Sequence, residues 1–109
     1  MKKEVKQQWC RALKSGKFEQ AKEQLLDQDS GAYCCLGVLT RLYCQDKKVP
    51  FSKVNGSEPG ENDVLNQKVI DWAGLKEQDP IVNGKTLSQW NDTGTSFKEI
   101  ATLIQKAKL

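Results

Sequence analysis

The densest run of side chains able to do chemistry is Trp90-Asn91-Asp92-Thr93-Gly94-Thr95-Ser96. Within it, Asp92-Thr93-Gly94-Thr95-Ser96 has the residue order of an aspartic-protease active site. That reaction needs two carboxylates close enough to share one proton, held by a β-rich scaffold. Here the string follows Ser88-Gln89-Trp90-Asn91 rather than an apolar strand. It runs into Ser96-Phe97-Lys98-Glu99, whose spacing is that of a helix N-terminus. The remainder to Leu109 is helical in pattern and leaves no room for a β lobe, so the protease reading is set aside.

The same run could join two helices as a helix-turn-helix, with Thr86–Trp90 first, Asn91–Thr95 as the turn and Ser96–Ala107 reading the duplex. Trp90 opposes this, because crossing helices need a small residue there. The second helix also offers Lys98, Lys106 and Lys108 against Glu99, with little near its start to read base edges. The plainest reading makes Asn91 and Asp92 the end of a short helix. Gly94 then reverses the chain and Ser96 caps the next helix, with Glu99 reaching back. If this turn faces a groove, Trp90, Asn91, Asp92, Thr93, Thr95 and Ser96 form the best candidate binding site. Backbone N–H groups at the start of the last helix would then receive an anion such as a nucleotide phosphate.

Other chemistries fail on composition or spacing. Gly84-Lys85-Thr86 ends like a phosphate-binding loop, but the position of the first glycine holds Asp79, and no strand precedes it. The four cysteines are Cys10, Cys34, Cys35 and Cys44, and the chain has no histidine. Cys34 and Cys35 are adjacent and would project about 100° apart on a helix, unlike the two-residue-spaced pair of a zinc site. Without histidine there is neither a Cys–His dyad nor a Ser–His–Asp triad. The thiols therefore read as core residues, and no catalytic residue, metal or cofactor is assigned.

The positioning elements are mostly helical. Val5, Trp9, Ala12 and Leu13 mark one face of a first helix, ended by Ser15-Gly16. Phe18, Ala21, Leu25 and Leu26 predict a second helix. Tyr33–Cys44 is apolar on nearly every face, as a buried central helix would be, although part of it also suits a buried strand. Gly37 within it costs helix stability, so close helix approach is its expected use. Residues 46–61 read as a long loop with a short strand near Val49–Val54. Val64, Leu65, Val69, Trp72 and Ala73 mark a fourth helix closed by Gly74. Asn83-Gly84 allows a small hairpin over Ile81–Lys85. Capping-box spacing at Thr86–Gln89 and Ser96–Glu99 starts the last two helices.

The chain has 109 residues, enough for one domain with a modest core. Its net charge of +3 is too small to imply nucleic acid. The charge is uneven: residues 1–17 carry Lys2, Lys3, Lys6, Arg11, Lys14 and Lys17 against Glu4 alone, a local +5. The ordinary reading is a solvated helix face and the other a binding patch. Met1-Lys2-Lys3 opens like a secretory leader, but no apolar core follows, and no segment approaches a membrane span. A cytoplasmic protein with reduced thiols is expected. In that compartment the sequons at Asn55 and Asn91 carry no glycan.

Three blocks together resemble a family of small proteins of tailed bacteriophages, prophages and some bacteria. They are Ser15-Gly16-Lys17-Phe18-Glu19-Gln20, Tyr33-Cys34-Cys35-Leu36-Gly37-Val38-Leu39, and Asn91-Asp92-Thr93-Gly94-Thr95-Ser96-Phe97-Lys98-Glu99-Ile100-Ala101. The likeness spans about residues 9–104 with a variable middle. Phe18 stands where the family carries tyrosine, and Trp90 where it carries an aliphatic residue. The resemblance implies a phage accessory protein in the bacterial host cytoplasm and supplies no activity. The expected fold is mainly α, a single-domain helical bundle over residues 1–109 with a buried central helix and a short hairpin. The expected function is non-enzymatic binding of a host protein, for host takeover or counter-defence. A small-ligand or nucleotide binder using the Asn91–Ser96 turn is the alternative, and a helix-turn-helix DNA binder the third.

Overall fold

The computed structural model describes residues 1–54 and 63–109. Among these residues there are five helices: α1 (Lys3–Lys14), α2 (Cys35–Lys47), α3 (Gln67–Ala73), α4 (Leu87–Asp92) and α5 (Phe97–Lys106). Two short antiparallel ribbons accompany them. β1 (Leu26–Asp27) pairs with β2 (Ala32–Tyr33), and β3 (Ile81–Val82) pairs with β4 (Lys85–Thr86). The architecture is mainly α. No helix among the described residues is long and apolar enough to cross a membrane.

α1 buries Val5, Trp9 and Leu13 at successive turns, with Cys10 beside them. Trp9 is fully buried, and its indole N–H donates to the Cys35 carbonyl at 2.9 Å, so no donor is stranded in the core. α2 is the central helix: Cys35 through Thr40 are all buried, and it packs on α1, α3 and α4. The buried Thr40 hydroxyl donates back to the Leu36 carbonyl at 3.0 Å. α5 buries Phe97, Ile100, Ala101 and Ile104 and lies chiefly against α1, with α4 at its start. α2 begins two residues later than expected, because Tyr33 belongs to β2 and Cys34 is the N-cap; it extends to Lys47.

The helix expected from Phe18, Ala21, Leu25 and Leu26 does not form. Glu23 is left-handed with φ 67°, and Gln20 forms an isolated parallel bridge with Tyr33. The segment's backbone groups bond elsewhere in the fold: Ala21 N–H donates to the Tyr33 carbonyl at 2.7 Å, and Tyr33 N–H to the Glu19 carbonyl at 2.8 Å. A helix would have kept those groups for its own ladder. Apolar anchors spaced by three and four residues serve this irregular path equally well. Leu25 is fully buried, and Phe18 meets the Tyr33 ring edge-on at 5.5 Å between centroids.

Gly37 does permit a close approach, but to backbone rather than to a helix. A Cβ there would stand 1.8 Å from the Leu25 carbonyl oxygen. The Cys34 N–H donates to that same oxygen at 3.3 Å. The strand expected near Val49–Val54 is instead a 3-10 turn over Phe51–Lys53. Phe51 and Val54 are both buried. Spacing of three puts them on the same side of a 3-10 turn, where a strand would send them to opposite faces.

The remainder of the expected 46–61 loop, residues 55–61 with the sequon at Asn55, lies outside the described residues. Val64 and Leu65 precede α3 instead of opening it. Asn66 caps that helix by accepting from the Lys68 N–H, and Gly74 closes it at φ 74°. The hairpin at Ile81–Lys85 forms as expected, with Asn83 and Gly84 both at positive φ.

Candidate functional site

The Trp90–Ser96 run is positioned by two helix ends. Thr86 starts α4 with a full capping box: its hydroxyl accepts from the Gln89 N–H, and the Gln89 side chain accepts from the Thr86 N–H. Leu87 and Asn91, one turn apart, are then aimed inward and fully buried. Gly94 reverses the chain at φ 98°. Ser96 caps α5, accepting from the Glu99 N–H at 3.2 Å and donating to the Glu99 carboxylate at 3.0 Å.

Asn91 spends its whole hydrogen-bonding capacity inside the fold. Its Oδ1 accepts from the Cys35 N–H at 3.1 Å and the Gln20 amide at 3.0 Å. Its Nδ2 donates to the Ala21 carbonyl at 2.7 Å and to Asp92 Oδ1 at 3.0 Å. Asp92 Oδ1 also accepts from the Glu23 N–H at 3.0 Å. The Gln20 amide continues to the Thr95 carbonyl at 2.8 Å. These bonds fasten the non-helical 20–23 segment to the start of α2 and to the turn.

Thr93 returns its hydroxyl to the Gln89 carbonyl at 2.7 Å. Trp90 points away from the others. Its indole N–H donates to the Val82 carbonyl at 2.8 Å, and the Lys85 ammonium lies 4.6 Å from its ring. The structure thus joins Asn91, Asp92 and Thr95 in one network, while Trp90 braces the β3–β4 hairpin.

Beside this network is a depression of about 320 Å³ whose lining includes Glu23, Asp63, Asp92, Ser88 and Cys34. Three carboxylates there oppose an incoming phosphate. Ser88 is held by Asp79, which accepts from its N–H at 3.1 Å and from its hydroxyl. Burial pushes the Cys34 thiol up to about 12, despite the N–H of Gly37 directed at its sulfur. Burial likewise raises Cys35, whose thiol donates to the Leu87 carbonyl at 3.5 Å, and also Cys10 and Cys44. All four cysteines are free and buried. Such thiols are poor nucleophiles near neutral pH, because the thiolate is the reactive form. Among the described residues, no group of three or more carboxylates and thiols is placed to hold one metal ion.

A second polar surface lies along the seam between α1 and α5. Lys6 donates to the Ala107 carbonyl at 2.6 Å, the Cys10 thiol to the Ala101 carbonyl at 3.6 Å, and Lys14 to Gln105 Oε1 at 2.9 Å. Two depressions adjoin there. One of about 260 Å³ is lined by Lys3, Lys6, Gln7, Cys10 and Gln105. The other, about 560 Å³, is lined by Gln7, Arg11, Lys14, Ser15 and Gln105. Gln7 and Gln105 are common to both, and no carboxylate lines either.

Among the described residues, the only side-chain ion pair is Lys47 with Asp46, and no carboxylate side chain there pairs with these cations. Sequence reasoning saw half of this surface, in the excess charge of residues 1–17. It missed Gln105, which reaches both depressions only through the packing of α5 on α1.

No curated protein and no solved structure matches the chain. A domain-family model does, over residues 1–108. The chain accordingly belongs to that family, a domain of unknown function (DUF8296).

Proposed function

We propose that the protein is a bacteriophage accessory factor that acts in the infected bacterial cytoplasm by binding a host protein, with no catalysis of its own. The phage affiliation is supported by the three sequence blocks that span the chain. The binding role is supported by one observation above all, the concentration of cations in the two segments that hold α1 and α5.

Residues 1–17 and 97–108 carry nine cations against Glu4 and Glu99, a net +7, which leaves −4 for the rest of a chain whose total is +3. Those two segments hold α1 and α5, which pack on each other. Opposite charges left apart on a folded surface weaken its own cohesion and favour encounter with a complementary partner. The nucleotide alternative at the Asn91–Ser96 turn has the opposite electrostatics, since carboxylates line the adjoining depression.

Affinity capture from bacterial lysate tests the proposal. The expected result is a discrete host protein retained by this chain and absent from an unrelated helical protein of equal net charge. Identical retained sets on both baits would sink it.

A further inference from the structure

We infer that the α1/α5 seam is the docking surface, and that its partner is a short acidic segment of a protein bearing carboxylates about one helical turn apart. The inference rests on the protein-binding reading above and specifies which face serves it and which chemistry it recognises.

The seam has the form of a fixed row of cations. Its cations form two pairs along α1, Lys3 with Lys6 and Arg11 with Lys14, each three residues or about 4.5 Å apart, with Gln7 and Cys10 between the pairs. Cys10 forms the floor, buried and tied to Ala101 of α5. Lys6 and Lys14 are each held by a neutral oxygen of the α5 region. Those bonds position the ammonium groups without cancelling their charge, and each ammonium keeps further N–H donors. Pre-positioned cations lose less side-chain entropy when a partner arrives. Gln7 and Gln105, both exposed at the centre, can donate to and accept from a polar backbone or side chain.

The dimensions favour a short acidic segment over a long polyanion. The row extends for at most the length of α1, 12 residues or about 18 Å. A nucleic-acid duplex continues beyond that with a charge about every 1.7 Å, and would lie against a remaining surface of net negative charge. Arg11 is the sole arginine in the lining, so the forked bidentate grip that suits phosphate is largely missing. Carboxylates three residues apart on a partner helix have the spacing of Lys3 with Lys6 and of Arg11 with Lys14.

The test uses the full chain and a fluorescent synthetic helical peptide of about 18 residues with Glu at every turn on one face. Fluorescence anisotropy is expected to report binding at low salt that weakens steadily as salt rises. The pair Arg11→Glu and Lys14→Glu is expected to weaken binding by about 10-fold or more, roughly 1.4 kcal/mol. The pair Lys68→Glu and Lys76→Glu changes net charge equally but lies away from the seam, and is expected to leave affinity within about 2-fold. Arg11→Gln with Lys14→Gln provides a milder version whose fold is checked by circular dichroism.

Absence of peptide binding at low salt overturns the inference. Equal losses in the two charge-reversed pairs overturn it too, since the seam would then have no special part. Tighter binding of duplex DNA or of phosphatidylserine vesicles, abolished by reversing the seam, also overturns it. Capture of the same host protein by the Arg11→Glu, Lys14→Glu chain overturns the seam while leaving the protein-binding reading intact. Peptide binding at the seam with no specific host protein captured does the reverse.

Discussion

The Asn91–Ser96 turn and the α1/α5 seam are both rich in polar side chains, yet they use them in opposite directions. In the turn, Asn91 fills all its hydrogen-bonding positions with Cys35, Gln20, Ala21 and Asp92, so its polarity is turned inward to hold the fold. In the seam, Lys6 and Lys14 meet only neutral oxygens, so their charge still faces solvent. A buried amide with every partner in place stabilises and specifies a core, whereas an uncompensated cation contributes little to folding and much to encounter. Polar density in a sequence does not separate these cases, because it does not say which way the side chains point.

The largest expected effect that would break this contrast lies in the turn. Asn91→Ala should strand the Cys35 N–H and the Ala21 carbonyl, at about 1–3 kcal/mol for each buried group, or roughly 2–6 kcal/mol in total. Urea denaturation measures it, and a loss below about 1 kcal/mol would show that the turn is not the clamp described here. Gly37→Ala, with its Cβ driven into the Leu25 carbonyl, should also destabilise strongly, because backbone rather than a flexible side chain must move.

Next comes the core around the turn. Cys34 has its pKa raised in the fold, from 9.0 to about 12. The folded state therefore holds the thiol proton more tightly than the unfolded chain. The associated stability is fully present below pH 9 and is lost as pH rises from about 9 toward 12. Denaturation midpoints across that window should fall, and Cys34→Ala should flatten the fall. Iodoacetamide at neutral pH should label the thiols of the native chain far more slowly than those of the urea-unfolded chain.

Smaller again is Ser96→Ala, which removes the α5 cap and should cost about 1 kcal/mol in thermal or urea unfolding. Smallest of all is the seam: Arg11→Gln with Lys14→Gln should change stability by less than about 0.5 kcal/mol while weakening the acidic peptide. A large stability loss there would erase the contrast by making the seam structural as well.

Much of the frame can be read locally from the chain. The stripe of Val5, Trp9 and Leu13, the Asn83-Gly84 turn and the caps at Thr86 and Ser96 are short-range signals, and each appears in place. Residues 18–26 could not be read this way. Their apolar spacing suits a helix, but their backbone is claimed by Tyr33 and by Asn91, about 70 positions along the chain. The candidate site was legible as a polar turn and a capped helix. Its burial was not, because Asn91 turns inward only once α4 has packed on α2.

What the amino-acid sequence determined by itself is the caps that start α4 and α5, the Gly74 stop of α3 and the mainly α class, since caps, turn residues and apolar periodicity act within a few residues. It also determined the excess of cations near the N-terminus. Tertiary structure alone decided that residues 18–25 form an irregular strap leading into β1, that Gly37 makes room for the Leu25 backbone, and that α5 lies beside α1 along the cationic seam. Those outcomes depend on hydrogen bonds and close packing between segments far apart in the chain, which no local window contains.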